Sequence, residues 1–516
     1  MRLRALFLLL ACLPVLASIW LSTQNPSIDA WYYAACSRWG QELAQPHHLF
    51  YNGIGWAWLT ALGATAARPA ADSAMQYLQL LNALAAGGCL WVLAPLLRWA
   101  GARREAVPVW LLVVGSTFGM LRFATENEAY VQPLLLALLA SLVWVQALRS
   151  QGGRRGGWLL LAGGLAVLAC LIHQLMVWWA LGLVLGLRPW QSRRALAHAA
   201  LFAAPAVLVP VAYILAAPGG AAGVPEFIMH DYLTGGAKSE WGWQSLLLTF
   251  ISLIRTLVQV HGNMLALVQR WPVALGLVGA GCTALGLYAL WDWRWTSATG
   301  SGPEPGLARR IRRTHLLISG LHLGFALQAT GNAEFMVMLP SLAAVVLAGG
   351  GLVAWPTRRV AALGLALLGW NLAFGLLPAH FLDYSGSGAA WRAWVLARPK
   401  AWVLLDDPNL LRNQLQYYTG RAGAVPRVQG LQGPEPQRFR AWLRERLMAG
   451  EAVYTDGLGS ARPFDRARLV QGGPAPDWLA GLRTVRVDSL PTFFGPRYIT
   501  RIYLPAVPPA GAPAQE

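Results

Sequence analysis

The chain has 516 residues, is 56% hydrophobic and 12% charged, and has a mean hydropathy of +0.43. A soluble domain carries about 25% charged residues, so these figures exclude a soluble globular protein and put most of the chain in lipid. The formal net charge of +18 does not indicate nucleic acid. The arginines stand largely in short runs between apolar segments, where the positive-inside rule accounts for them.

Arg2 and Arg4 precede an apolar run that reads as a signal peptide or a first membrane helix. No clear small-x-small cleavage site is followed by a soluble domain, so a retained helix is expected. Residues 25–58 come next, with Asp29, Arg38, Glu42, His47 and His48 set among aromatics. Trp and Tyr alone would make an interfacial belt. An acid and two adjacent histidines point instead to a membrane-surface structure that carries function.

Arginine clusters at 98–104, 149–155, 188–194, 309–313 and 358–359 mark the cytoplasmic face. Between them, residues 72–97 enter, 106–122 leave and 129–148 return, so the turn holding Arg122, Glu126 and Glu128 faces outside. Residues 157–187 leave and return in one run. They supply ~46 Å of helix against ~60 Å for two full crossings, so a pair of short helices turning near His173-Gln174 is expected. Residues 199–216 go out, and 217–270 form a long outer stretch with His230, Asp231 and Lys238. Its apolar helix, interrupted by Arg255, should lie in the interface rather than span. Residues 272–291 enter, 314–330 leave, 335–353 return past Glu334, and 360–378 make the last exit.

The sum is an α-helical polytopic membrane protein of about eleven transmembrane helices, amino terminus inside, with a small C-terminal α/β exterior domain. Residues 1–380 form the membrane part and 381–505 the exterior domain, where KAWVLL, AVYTDG and TVRVDSL read as strands. Residues 506–516, rich in Pro and Ala, read as a disordered tail. Asp406-Asp407 reads as a strand-end turn. Five cysteines suit neither a zinc knot nor a disulfide ladder.

The acids and histidines bordering the membrane segments share one sidedness, which suggests an outward-facing cleft. The residues S-I-D-A-W-Y-Y at 27–33, P-H-H-L-F-Y-N at 46–52, T-E-N-E-A-Y-V-Q-P at 125–133, H-Q at 173–174 and E-F-M-V-M-L-P at 334–340 carry a resemblance. In position and topology the membrane region resembles the GT-C superfamily of polytopic glycosyltransferases, which includes protein O-mannosyltransferases and aminoarabinose transferases. The resemblance implies an inverting hexosyl- or pentosyltransferase of a bacterial inner or plasma membrane. Its donor would be a polyprenyl-phosphate-linked sugar, and its acceptor a cell-envelope glycan, lipid or protein outside the cytoplasm. Carried over by position, Asp29 is the base and Glu128 or Glu126 the second acid. Arg122, His47, His48, Lys238, His173 and Glu334 are donor-binding candidates, and a divalent metal is the one cofactor the resemblance admits. Where members often show Arg-Tyr ahead of the late Leu-Pro, this chain has Glu334-Phe335, which turns Glu334 toward a cation as partner. A secondary transporter or flippase of a lipid-linked or small anionic substrate is the alternative. It would be expected to show internal repeats and midplane polar breaks.

Overall fold

The computed structural model describes residues 2–66, 73–233, 242–260, 263–291, 305–349, 356–384, 389–405, 408–420, 427–430, 436–458, 479, 481–493 and 495–505. Lys238, Asp406-Asp407 and the tail 506–516 lie outside the described residues, as does the side chain of Asp231. The chain forms two compact units, one of residues 1–23 and 36–380, the other of residues 24–35 and 381–516.

In the first unit, α1 (Arg2–Trp20) is followed by α2 (Ile28–Trp39), whose first eight residues count with the second unit. Then come α3 (Tyr51–Ala61), α4 (Ala74–Trp99), α5 (Val107–Gly115), α6 (Phe118–Thr125), α7 (Val131–Arg149), α8 (Gly153–Ile172) and α9 (Val177–Gly186). The chain continues through α10 (Arg193–Ala203), α11 (Leu208–Ala216), α12 (Val224–Leu233), α13 (Trp243–Leu257), α14 (Met264–Arg270) and α15 (Pro272–Leu290). It ends with α16 (Pro305–Gln328), α17 (Leu339–Leu347), α18 (Thr357–Asn371) and α19 (Leu377–Phe381). Among the described residues, six helices are long and apolar enough to cross a membrane, seven if the bent pair α5–α6 is one span; α10–α11 and α18–α19 each count once. Three apolar helices are shorter: Leu9–Trp20, Trp243–Leu257 and Ala333–Leu347. Single uninterrupted spans are therefore fewer than the eleven apolar crossings read from the sequence, because several segments are broken or short.

The expected turn at His173 is present, but the two arms are unequal. The α8 arm is full length at 20 residues, and α9 has 10. The short arm runs back along α16, where Gly182 and Gly186 face Ile318 and Thr314 so closely that a Cβ would collide. The α5–α6 pair bends by 64° at Ser116-Thr117. That break is closed by Asn371, fully buried, whose amide donates to the carbonyls of Ser116 (2.8 Å) and Leu257 (2.9 Å) and accepts from the Gln259 amide N–H (2.9 Å). A backbone break away from water needs such partners.

α13 shows inverted amphipathy. Ser245, Thr249, Ser252 and Thr256 are buried, while Leu246, Leu247, Phe250, Ile251 and Ile254 are exposed. The hydroxyls of Thr249 and Thr256 are satisfied by carbonyls one turn back, which lets the polar stripe pack inward. An outward apolar stripe on a 15-residue helix suits a lipid boundary.

At one end of this unit the arginines serve the backbone. Arg312 donates to the carbonyls of Ala100 and Gly349, Arg310 to Gly186, and Arg155 to Ala147, Leu148 and Ser150. These carbonyls stand at or just past helix C-termini, where no intrahelical donor remains.

The second unit holds α20 (Ala389–Leu396), α21 (Asn409–Thr419), α22 (Pro436–Met448) and a five-stranded sheet of order β2-β1-β3-β5-β4. Its strands are β1 (Trp402–Leu405), β2 (Arg427–Gly430), β3 (Val453–Thr455), β4 (Arg483–Thr492) and β5 (Gly495–Tyr503). β2, β1 and β3 are parallel, and β5 and β4 add antiparallel with a register shift between Arg486 and Asp488. The three strands read from the sequence correspond to β1, β3 and β4. One core packs Val403, Leu405, Leu411, Leu415 and Ile499 with Trp391 and Trp394; the other sets Leu404, Val453 and Ile502 against Phe439 and Leu443 of α22.

Candidate functional site

The end of the first unit opposite the backbone-bound arginines gathers most of the expected site residues. The turn 126–128 joins α6 to α7, and Glu126, Asn127 and Glu128 are all buried. Asn82, fully buried in α4, holds this turn: its amide donates to the carbonyls of Glu126 (2.7 Å) and Glu128 (2.8 Å), and its oxygen accepts from Gln132 (2.9 Å). The Tyr51 hydroxyl donates to Asn127 Oδ1 at 2.8 Å. The acids are thus presented on a backbone fixed from two neighbouring helices.

Arg122 Nε donates to Glu126 Oε2 at 3.1 Å, and its Nη2 lies 3.9 Å from Glu334 Oε1. Glu334, capped at its backbone by Asn332 Oδ1 (3.0 Å), also accepts from the Tyr130 hydroxyl at 3.0 Å. The expected cation for Glu334 is therefore beside it. The Arg122 and Glu334 side chains are about equally open, at 30% and 29% exposure, whereas that of Glu126 is 4% exposed. Glu126 reads as the inner anchor of the guanidinium and Glu334 as its solvent-side neighbour.

Tyr130 links this group to the histidines. Its ring lies 5.0 Å from that of His173, which meets His48 edge-on at 4.4 Å. His47 joins through the Gln174 side chain, and Gln174 N donates to the His47 carbonyl at 3.2 Å. His173 caps the turn between α8 and α9, Nδ1 accepting from Leu175 N at 3.2 Å. With Nδ1 an acceptor, the ring proton sits on Nε2. Burial, with His47 beside it, pushes His48 down to about 3, so it is a neutral hydrogen-bonding group near pH 7.

Beside the histidines lies an apolar groove of about 720 Å³. Leu43, Leu49, Phe50 and Ile54 line one side, and Val167 and Leu171 of α8 with Val211 and Leu215 of α11 line the other. The Phe50 N–H donates to the Leu171 carbonyl at 3.0 Å, so the groove begins where the histidine cluster ends.

Of the other candidates, Lys238 lies outside the described residues. Asp29 stands in the first turn of α2, within the second unit, and is exposed. Ser27 Oγ accepts from Ala30 N at 2.9 Å and caps that helix. A carboxylate there also stabilises the helix dipole by roughly 0.3–1 kcal/mol. Among the described residues no group of three or more His, Cys, Asp or Glu could hold a metal ion. The cation among the carboxylates is a guanidinium. Asn82, Tyr51 and Tyr130 carry no role in the sequence reading. The one available signal was Asn82, a polar residue inside an apolar helix; Tyr51 and Tyr130 lay unassigned inside the quoted motifs.

No family model matches the chain, and no curated protein matches it. Among solved structures it is similar to the oligosaccharyltransferase of Archaeoglobus fulgidus complexed with Zn and sulfate, at 12% identity and a TM-score of 0.45 over 87% of this chain and 68% of that one. The archaeal oligosaccharyltransferase AglB from the same organism, with an inhibitory peptide and a dolichol-phosphate, gives 12%, 0.48, 87% and 69%. ArnT from Cupriavidus metallidurans bound to undecaprenyl phosphate gives 12% and 0.43 over 99% of both chains. The site's own chemistry carries the functional reading.

Proposed function

We propose that the protein is a membrane glycosyltransferase of GT-C type. It moves a sugar from a polyprenyl-phosphate-linked donor to an acceptor hydroxyl, with the arginine-rich end facing the cytoplasm and the second unit outside. The observation that carries this is an apolar groove that begins beside His48, together with a chain of contacts from His48 through His173 and Tyr130 to Glu334, Arg122 and Glu126. A prenyl chain requires the first feature, and a phosphate leaving group requires the second. In the reaction the acceptor oxygen bonds to the anomeric carbon as the carbon–oxygen bond to phosphate breaks. Asp29 takes the hydroxyl proton, Glu128 assists, and the polyprenyl phosphate departs with the electron pair toward Arg122 and the histidines. Lys238 is a further donor contact.

The transporter reading draws support from the α5–α6 break. Asn371 donates to the Ser116 carbonyl at that break, so this group is taken by protein rather than offered to a substrate, as a transporter's broken helices would offer it.

The test is retention of undecaprenyl phosphate by the purified protein in nanodiscs. Wild type should retain it, and Ala212→Trp, which fills the groove, should weaken retention at least tenfold. Equal retention by both, or none by wild type, would contradict the reading. Asp29→Asn should bind the lipid normally and lose about 10²–10⁴-fold in turnover, the range for a lost general base.

A further inference from the structure

The second unit contains its own reason for being attached. Residues 24–35 leave the membrane unit after α1 and join the α/β unit before the chain returns at Cys36. Asn25 makes the entry: its amide donates to the Leu382 carbonyl and its oxygen accepts from the Tyr384 N–H, both at 2.6 Å. Tyr384 in turn packs edge-on to Phe493 in the turn between β4 and β5, ring centroids 5.5 Å apart. Three residues later α2 begins, and α21 holds its first turn. Asn413 Nδ2 donates to the Ile28 carbonyl at 2.9 Å, and the Trp31 ring meets Tyr417 at 5.2 Å and Tyr418 at 6.0 Å.

Asn413 and Tyr417 are four apart and so share one face of α21. Leu411 and Leu415, on another face, sit in the core with Val403 and Leu405 of β1. The helix therefore has one side fixed to the sheet and another side on α2. Asp29 lies two residues before Trp31, roughly 160° around the helix axis from it. The ring contacts at Trp31 are on the far side of α2 from the Asp29 side chain, which is exposed.

We propose that α21 is the positioning element for Asp29: Asn413, Tyr417 and Tyr418 fix the first turn of α2 and so orient its carboxylate. The functional half rests on the reading of Asp29 as base; the mechanical half does not. A contact made to the far side of a helix sets the direction of the near side without occupying it. Asn413, 385 residues from Ile28, then acts through Asp29 without touching substrate.

The experiment uses the full chain in nanodiscs, with hydrogen exchange followed at residues 28–35 and, as an internal control, at the strands 402–405 and 453–455. Asn413→Ala and Trp31→Leu should each speed exchange at 28–35 about five- to tenfold, the equivalent of one lost hydrogen bond or ring contact. The strands should exchange as in wild type, and Trp31→Phe should restore protection. Unchanged exchange at 28–35, or equal acceleration in the strands, would overturn the proposal. With a polyprenyl-phosphate hexose as probe, the same two variants should lower kcat and leave KM within twofold. Faster exchange at 28–35 with wild-type kcat would refute the positioning role. Normal turnover by Asp29→Asn would refute the base assignment instead, leaving the exchange result to decide the docking.

Discussion

At one end of the membrane unit Arg155, Arg310 and Arg312 donate to backbone carbonyls; at the other Arg122 faces the carboxylates of Glu126 and Glu334. The residue type is the same and the employment differs. The first set closes helix ends and records which face is positively charged. Arg122 is held by Glu126 and Glu334, and Glu334 also accepts from Tyr130. In a chain with 41 Lys and Arg residues, of which only Lys238 and Lys400 are lysine, identity says little about any one arginine. The partner distinguishes them.

The sharpest break of that comparison is to remove each cation. Arg122→Gln leaves the Glu126 carboxylate buried and uncompensated, and should cost roughly 3 kcal/mol, the low end for a buried pair because Arg122 itself is part-exposed. It should also abolish undecaprenyl phosphate retention. A second substitution, Glu126→Gln, should recover much of the stability and none of the binding. Arg312→Gln should cost about 1–2 kcal/mol and leave lipid retention intact. Thermal unfolding with a lipid-retention assay reads both; equal loss of binding in the two variants would erase the distinction.

Asn82→Ala sharpens the comparison from the backbone side. It strands two buried carbonyls and the Gln132 amide, and should cost about 2–3 kcal/mol by denaturant titration. Turnover should fall too, because the 126–128 turn loses its anchor. Retained turnover with lowered stability would confine Asn82 to folding.

The smallest effect near neutral pH belongs to His48. Its folded value of about 3 lies below the ordinary 6.5, so the unfolded chain binds a proton that the folded one refuses. Stability from this group is intact above pH 6.5 and falls as pH drops toward about 3. Unfolding temperature followed from pH 7.5 to 4.5 should decline less steeply in His48→Phe than in wild type. Parallel curves would show that His48 does not drive the slope.

Several features were legible because their cause is local. The break at His173 followed from too little helix for two crossings, though length alone could not say that α8 takes 20 residues and α9 only 10. The run 402–419 reads as strand then amphipathic helix, as β1 and α21 show. The bend at Ser116-Thr117 was hidden inside an apolar run, since its support comes from Asn371, 255 residues on. The assignment of residues 24–35 to the second unit was equally hidden. Neither Ile28 nor Asn413 has a local pattern that names the other. Of the candidate site, the quoted motifs held Glu126, Glu334 and the histidines, with Arg122 three residues ahead of one of them, while Asn82, which holds the 126–128 turn, showed only as one more amide in an apolar helix that also carries Gln76 and Gln79.

The most direct test of the central claim is donor choice. The protein reconstituted in liposomes, supplied in parallel with a panel of polyprenyl-phosphate-linked sugars and the matching nucleotide sugars, should release polyprenyl phosphate and glycosylate an acceptor with the lipid-linked set only. Asp29→Asn should suppress that signal without changing lipid retention. Transfer from a nucleotide sugar alone, in lipid-free detergent, would contradict the account.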